Sequence, residues 1–559
     1  MQITNRIHFR NFSGDLFGGI TAAVIALPMA LTFGVASGAG PAAGLYGAIL
    51  VGFFAALFGG TPTLISEPTG PMTVIMTAVI TNLTAATDDP EKGLAMAFTV
   101  VMMAGIFQIL FGVLRLGKYV TLMPYTVVSG FMSGIGIILV ILQLGPFLGE
   151  AAPKGGVLGT LRELPTLLSD INVSALFLSL LTVATIVLIP ILVPTQLKKW
   201  FPPQLVALLV GTFVALWLFP GASVDRIAPF EAGLPTLRMP VFTQNELQLM
   251  VVDAMILAVL GCIDALLTSV VADSLTRTEH NSNKELIGQG IGNLVSGLCG
   301  GIAGAGATMG TVVNIQAGGR TALSGLTRAF ILLIVVLWAA PLTQNIPLAV
   351  LAGIALKVGI DIIDWDFLKR AHQVSWKGTA IMYGVIALTV FVDLMVAVGI
   401  GVFIANIVTI DRLSTLQSKS VKAITDADDE IQLTEEEKQL LDQGQGRMLL
   451  FHLSGPMIFG VAKAISREQK ALKYCEALVL DLSDVPHMGV TSSLTIENAI
   501  EEALDKGCSV FVVGAAGQTR RRLGKLGIWD RLPPENVLAD RVEALRKSVA
   551  GLDHYATSG

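Results

Sequence analysis

The sequence predicts a polytopic α-helical membrane protein with a small soluble α/β domain at its C-terminal end. Three observations carry that prediction. Of 559 residues, 53% are hydrophobic and only 14% are charged, whereas soluble globular proteins carry about 25% charged residues to keep their surface wet. The charge is also uneven, with about half of it lying after Arg412, in roughly the last quarter of the chain. Before that point, apolar stretches of about 20 residues recur, the length needed to cross a hydrocarbon core of about 30 Å.

The polar start MQITNRIHFRN runs into an apolar stretch without a small-residue cleavage site, so this stretch reads as a retained span. Clear spans follow at 16–37, 44–60, 94–113, 121–147, 173–193, 202–219, 249–272, 321–340 and 379–410. The last is long enough for two, parted near Val392–Asp393. Shorter or weaker segments lie at 67–83, 285–301, 306–317 and 346–359, which brings the total to about fourteen crossings. Basic residues mark the loops: Arg6 and Arg10, Arg115 and Lys118, Lys198 and Lys199, Arg277 and Lys284, Lys369, Arg370 and Lys377, then Arg412. With the N-terminus inside and an even number of spans, all of these fall on the cytoplasmic side, as the positive-inside rule asks. The net-acidic loop TDDPEK (87–92) then falls outside. The expectation is a multi-pass protein of the cell's inner (plasma) membrane with both termini cytoplasmic.

Residues 411–445 read as an acidic, solvated connector helix (DADDE, then TEEEK). From Gly446 the pattern changes. RMLLFHLSGPMIFG alternates in short runs, AKAISREQKAL reads as a helix and EALVLDLSDV as a buried strand. SSLTIENAIEEALDKG is an amphipathic helix, CSVFVVGAA a strand, and QTRRRLGKLG opens another helix. Alternating strands and helices argue for a small α/β domain. The expected division is 1–411 membrane domain, 412–445 linker and 446–550 soluble domain. No basic stripe with interleaved aromatics supports nucleic-acid binding. The cysteines Cys262, Cys299, Cys475 and Cys508 form no C-x-x-C pair, so they read as buried inert thiols rather than a zinc or redox site. No nucleophile–base pair, phosphate loop or metal-ligand cluster stands out in the soluble part, so an enzyme is not expected, and His452 and His487 read as structural.

Two segments break the apolar pattern where it should be continuous: SEPTGPMTVIMTAV (66–79) and GGIAGAGATMGTVVNIQAG (300–318). Each starts with Gly or Pro breakers, passes into a short helix-like run, and occupies a corresponding place in its half of the membrane part. Such a pair points to a transporter site built on inverted repeats. Irregular backbone survives at membrane depth only where it is buried in protein or lines a cavity. Half-helix N-termini there present unpaired N–H groups that suit an anion. The plainer alternative is that the glycines allow close helix packing, but Pro68 and Pro71 bracket Thr69–Gly70 too tightly for an ordinary helix. Asp264, in LGCIDALLTSVVAD, sits mid-span among apolar residues, where a carboxylate is costly unless compensated. Thr268, four residues on, shares its face. An oxygen-lined cation site would take the Asp264 carboxylate, the Thr268 hydroxyl and freed carbonyls near Gly306–Thr308; the alternative is a hydrogen-bonded structural Asp. Asp273 reads as interfacial. Glu67 could lie near the site or could cap and orient the half-helix.

The segment DLFGGITAAVIALPMALTFGVASGAGPAAGLYGAIL (15–50) resembles the opening signature of the SulP sulfate-permease anion transporters. EPTGP (67–71), ELIGQGIGNLVSG (285–297) and NIQAGGRTALSG (314–325) extend the likeness, and LSGPMIFG and VLDLSDVPHMGVTSS resemble the STAS domain that follows the membrane part in that family. The resemblance covers nearly the whole chain. Within the family it is to cyanobacterial bicarbonate carriers. It implies about fourteen membrane segments in two inverted repeats of seven, arranged as core and gate domains, and often a homodimer, here possible through the STAS domain. It implies that Thr69 and the backbone around Ala307–Thr308 bind the anion. It also implies that Asp264 and Thr268, with the Gly306 and Ala307 carbonyls and the Thr308 hydroxyl, bind sodium. Many members carry an Arg in the tenth segment; here that position is Gly310, preceded by Met309 in place of Ser. A fixed positive charge beside the anion is therefore expected to be missing, with a bound sodium ion in its stead. The expectation is a sodium-dependent bicarbonate symporter, with a sulfate or other oxyanion carrier, or a membrane sensor with STAS output, as alternatives. In the STAS domain, Gly489 and Val490 stand where relatives regulated by phosphorylation carry Asp and Ser. Thr491 or Ser492 could take the phosphate instead, or could simply cap a helix.

Overall fold

The computed structural model describes residues 4–5, 9–87, 89–120, 124–153, 155–193, 202–219, 223–227, 233–392, 394–418, 421–424, 433–457 and 476–557. Cys475, the helix expected over 462–472, the DADDE stretch, Asp393, Lys198 and Lys199 lie outside them. The chain forms two compact units, Met1–Phe403 and Ile404–Gly559.

The first unit opens with α1 (Phe12–Ala36), α2 (Pro41–Phe58), a two-residue strand β1 (Ser66–Glu67) and α3 (Gly70–Thr87). Next come α4 (Pro90–Val113), α5 (Gly117–Val120), α6 (Tyr125–Leu142), α7 (Leu144–Leu148), α8 (Gly156–Ser169), α9 (Val173–Leu192) and α10 (Pro203–Leu218). The second half repeats the opening order: α11 (Leu247–Thr276), α12 (Ser282–Leu298), β2 (Ala305–Gly306) and α13 (Thr308–Gln316). It continues through α14 (Ala322–Thr343), α15 (Leu348–Ile362), α16 (Trp365–Val374) and α17 (Trp376–Phe391), and α18 (Leu394–Ser418) runs across the boundary between the two units. Each apolar stretch read from the sequence falls on a helix, and the long stretch 379–410 does part after Phe391. Among the described residues, α1, α2, α4, α6, α9 and α11 are long and apolar enough to cross a membrane by length and composition alone, while α10, α14 and α17 hold shorter apolar runs.

Local chemistry explains where these helices start. Pro41, Pro90 and Pro203 occupy the first helical turn, where a missing N–H costs nothing. Asp89 caps α4 by accepting from the Glu91 and Lys92 amides, and Asn172 and Asn281 cap α9 and α12 in the same way. Near the start of α1, the buried Asp15 carboxylate accepts from the Arg320 and Thr321 amides at 2.7 and 2.9 Å and from the Thr321 hydroxyl at 2.7 Å. The first helix is thereby fastened to the start of α14.

The helices pack in two sets: α1–α4 with α11–α14, and α6, α9, α10, α15 and α17 together. These are the core and gate of the expected fold. Within the core, β1 and β2 pair antiparallel, Ser66 with Gly306 and Glu67 with Ala305. Opposite chain directions at equivalent places are what two repeats related by an axis in the membrane plane produce. The crossing depends on glycine. A Cβ at Gly304 would lie 2.8 Å from the Glu67 backbone carbon and oxygen, and one at Gly306 would lie 3.0 Å from Ala265 Cα.

The second unit holds a five-stranded sheet, β3 (Val421–Ile424), β4 (Met448–Ser454), β5 (Ala477–Asp484), β6 (Ser509–Val513) and β7 (Val537–Leu538), ordered as numbered. β3 is antiparallel to β4 and the remaining pairs are parallel. Helices α19 (Glu435–Gln443), α20 (Val490–Asp505), α21 (Gly517–Lys525), α22 (Ile528–Arg531) and α23 (Arg541–Thr557) accompany it. Buried side chains form two clusters. One joins Leu478, Leu480 and Leu482 with Ile496 and Ile500. The other joins Val479 and Phe511 with Ile424, Leu440, Leu441 and Leu545. This corrects the reading of 412–445 as a solvated connector: β3 belongs to the sheet, and Ile424, Leu440 and Leu441 belong to its core. The few apolar residues of VKAI and the adjacent Leu440 and Leu441 of QLLDQ were hidden by the acidic runs on either side. The soluble unit also runs past 550, because Leu552 is buried in the same cluster. The helix-cap expectation is corrected as well. Gly489 is the N-cap of α20, without a side-chain bond; Thr491 and Ser492 lie inside the first turn, and the Ser492 side chain is buried.

Candidate functional site

A cavity of about 510 Å³ opens beside the β1–β2 crossing. Its wall brings together Thr69, Asp264, Gly306, Ala307 and Thr308, five of the six residues expected at the site, with apolar cover from Met29 and Phe33 of α1. The sixth, Thr268, lies fully buried just behind.

Chain geometry places each group. Pro68 and Pro71 interrupt the backbone around Thr69, so α3 begins at Gly70, directly at the crossing. The Thr69 hydroxyl donates to Asp264 Oδ2 at 2.7 Å and lies 3.5 Å from the Met72 amide that points to it. The start of α3 is therefore met by Thr69 and not by Glu67, which settles the choice left open for that glutamate. Across the crossing, the Ala307 amide donates to Ile65 O at 2.8 Å, and Ala307 is the N-cap of α13 with Thr308 as its first residue. On α11, the Thr268 hydroxyl donates to Gly306 O at 2.9 Å and stands 2.9 Å from the Thr308 hydroxyl. Asp264 is only 6% exposed. Among the described residues, Thr69 is its one hydrogen-bond donor and no cationic side chain pairs with it. A buried carboxylate with so little compensation, flanked by hydroxyl and carbonyl oxygens, has the donor chemistry that a small hard cation takes. No cluster of three or more His, Cys, Asp or Glu occurs among the described residues, so a multi-carboxylate or thiolate cage is not available.

Three features of the site were not read from the sequence. Arg328 of α14 is fully buried; its Nη1 donates to Ala48 O at 3.2 Å and Ser66 O at 3.0 Å, and its Nη2 pairs with Glu67 Oε2. Glu67 in turn lines the cavity. No cationic side chain stands at Gly310; the guanidinium of Arg328 is paired with Glu67 and does not itself line the cavity. An Arg inside the apolar run 321–340 was the available signal. Second, α12 presents Glu285, Gln289 and Asn293 along one face at a spacing of four. Glu285 Oε2 accepts from the Gly60 and Thr61 amides, each at 2.8 Å. Gln289 donates to Ser66 Oγ at 2.6 Å and to Glu285 Oε1 at 2.8 Å. Asn293 donates to Gly304 O at 2.9 Å and accepts from the Gly304 amide at 2.8 Å. This ladder satisfies the freed backbone groups on both sides of the crossing, the condition for irregular chain in an apolar surround. Third, Thr311 Oγ1 accepts from the Ile65 amide at 3.0 Å, a further tie between the two broken segments. The periodic polar residues in ELIGQGIGN carried the second signal; the third had none.

Asp273, read as interfacial, is partly buried and lies 2.6 Å from His280 Nδ1. Cys262, Cys299 and Cys508 are all buried. In the soluble unit, His452 meets the buried Asp481 at 2.9 Å, and Arg541 bridges Asp481 to Glu437. Burial pushes the Asp481 carboxyl up, but the His452 and Ser483 hydrogen bonds outweigh it and hold the group at about 2. His452 therefore has the structural place expected of it.

Residues 12–385 match the sulfate permease family and residues 439–541 match the STAS domain. The chain belongs to the sulfate permease family. It is 69% identical over 561 residues to the bicarbonate transporter BicA of Picosynechococcus sp., covering 100% of this chain and 98% of that one. It is 69% identical over 552 residues to BicA of Synechocystis sp., covering 99% and 97%. Among solved structures, the transmembrane domain of a cyanobacterium bicarbonate transporter BicA matches at 70% identity and a TM-score of 0.67, covering 71% of this chain and 100% of that one. The overall structure of SLC26A9 matches at a TM-score of 0.81 with 16% identity, covering 99% and 92%, a likeness of fold. These family relatives are transporters and not enzymes, so the chain is a membrane transporter with a C-terminal STAS domain.

Proposed function

We propose that the protein is a sodium-dependent bicarbonate symporter of the cell's inner membrane. Near-full-length identity of 69% to two transporters named for bicarbonate supports the substrate. Basic residues grouped on one side of the spans support cytoplasmic termini. The observation that carries the coupling is the Thr69–Asp264 hydrogen bond at the cavity wall. Sodium would be held by the Asp264 carboxylate, the Thr268 and Thr308 hydroxyls and the Gly306 and Ala307 carbonyls. Bicarbonate would sit between the starts of α3 and α13, against Thr69, Ala307 and Thr308, where N-terminal amides favour negative charge. A cation on Asp264 takes over the compensation that Thr69 now provides. The Thr69 hydroxyl is then free to turn to the anion, so each ion strengthens the binding of the other. The STAS unit is read as the contact between two copies in a homodimer.

The test is uptake of radiolabelled bicarbonate with and without sodium, in the natural chain and in Asp264→Ala. Sodium-independent uptake by the natural chain sinks the coupling. Twenty-six per cent identity over 414 residues to sulfate transporter 4.1 of Arabidopsis thaliana keeps a sulfate carrier as the second reading. Sulfate outcompeting bicarbonate in the same assay would establish it. Flux through a chain shortened at Ser414 would dismiss a sensor role for the membrane part.

A further inference from the structure

We propose that Glu67 masks a fixed positive charge, that of Arg328, and that this masking is what makes anion binding wait for the cation. The proposal rests on the coupled symport above and goes beyond it, because it assigns the dependence to a pair outside both ion sites.

Three charged side chains line the cavity: Glu67, Asp264 and Asp361. Asp361 is paired with Lys357 one turn before it, so that pair is neutral. Glu67 is paired with Arg328, which meets no other carboxylate among the described residues. Asp264 alone is left without a cationic partner. These side chains with their partners therefore sum to one net negative charge. An arriving anion is repelled until a cation brings the sum to zero. Glu67 stands where this balance is felt: a Cβ at Gly310 would lie 3.4 Å from Glu67 Oε1, so its second oxygen faces the first turn of α13. The guanidinium lies directly behind it, with a third anchor on Ser66 O of the crossing strand. Take away the charge of Glu67 alone and the site becomes neutral without sodium.

Glu67→Gln does this with little disturbance. The amide oxygen still accepts from Arg328 Nη2, and the Ala48 and Ser66 carbonyls still accept from Nη1. Purified full-length protein in proteoliposomes is assayed for radiolabelled bicarbonate uptake across external sodium from nil to saturating. The natural chain loses uptake at least about tenfold without sodium, whereas Glu67→Gln stays within about threefold of its maximum, with an apparent KM for bicarbonate at low sodium lowered about tenfold. The double variant Glu67→Gln/Arg328→Gln restores one net negative charge and with it the natural sodium dependence. That return separates charge balance from a merely structural role. Glu67→Gln that inserts but remains as sodium-dependent as the natural chain, or transports nothing at any sodium concentration, overturns the proposal. So does a double variant that no longer needs sodium. If the single variant fails to insert, Arg328→Gln decides instead: it leaves Glu67 unpaired and adds one net negative charge, so the apparent KM for bicarbonate rises about tenfold, and an unchanged KM overturns the proposal. A natural chain indifferent to sodium would defeat the symport reading instead. Masking would then still require the bicarbonate KM to fall in Glu67→Gln and to return in the double variant, and an unchanged KM would defeat it too.

Discussion

Asp264→Asn separates charge from shape at the proposed cation site. Asparagine has the size of aspartate, and its amide oxygen can still accept the Thr69 hydroxyl now 2.7 Å from Oδ2. The Thr268, Thr308 and Gly306 oxygens are unaffected, because their contacts at 2.9 Å do not involve Asp264. What disappears is one negative charge that is only 6% exposed. With an effective dielectric of about 20, a unit pair at 4 Å attracts by about 4 kcal/mol. Since about 1.4 kcal/mol is tenfold, sodium activation should weaken by roughly a thousandfold. The measurement is the sodium concentration giving half-maximal bicarbonate uptake in proteoliposomes, normalised to inserted protein. A variant that inserts normally and keeps its half-maximal sodium within about threefold of the natural value would refute the assignment, because a threefold change is worth well under 1 kcal/mol.

Thr268→Val leaves Gly306 O without its donor in a dry surround, so thermal stability of the detergent-solubilised protein should fall by about 1–3 kcal/mol and half-maximal sodium should rise. Unchanged values of both would remove Thr268 from the site. Gly304→Val should abolish accumulation of folded protein, because its Cβ would meet the Glu67 backbone at 2.8 Å and neither strand of the crossing can withdraw. A monodisperse elution profile from fluorescence size exclusion would contradict this. In the soluble unit, the Asp481 carboxyl lies at about 2 in the fold against 3.8 ordinarily. Its stabilisation is therefore complete above about pH 4 and is lost as pH falls through about 2, a contribution of roughly 2 kcal/mol. Asp481→Asn should lower stability at neutral pH by about that amount and flatten the acid limb of the unfolding curve.

The membrane architecture and part of the site were legible in the residues themselves. Long apolar runs, clustered Lys and Arg, and the Pro68–Pro71 bracket report on local properties: a helix must be long and dry to span, and proline cannot continue a hydrogen-bonded turn. Asp264 and Thr268 were legible for the same reason, because a charge in an apolar run and a spacing of four need no knowledge of the partner helices. The soluble unit was less so at its edges. Acidic runs hid β3 and the buried face of α19, whose few apolar residues gain meaning only when β4 and α23 cover them.

From the sequence alone came a spanning helical protein with two mid-depth breaks, one intramembrane carboxylate and a small α/β tail. Only the tertiary structure decided that residues 66–67 and 305–306 pair antiparallel, that Thr69 reaches Asp264 across 195 positions of chain, and that Glu67 holds an arginine 261 positions away. The physical reason is that a break, a cap or a dry span is a property of neighbours along the chain. The electrostatic balance of a cavity is a property of groups that meet only once the two halves have folded against each other.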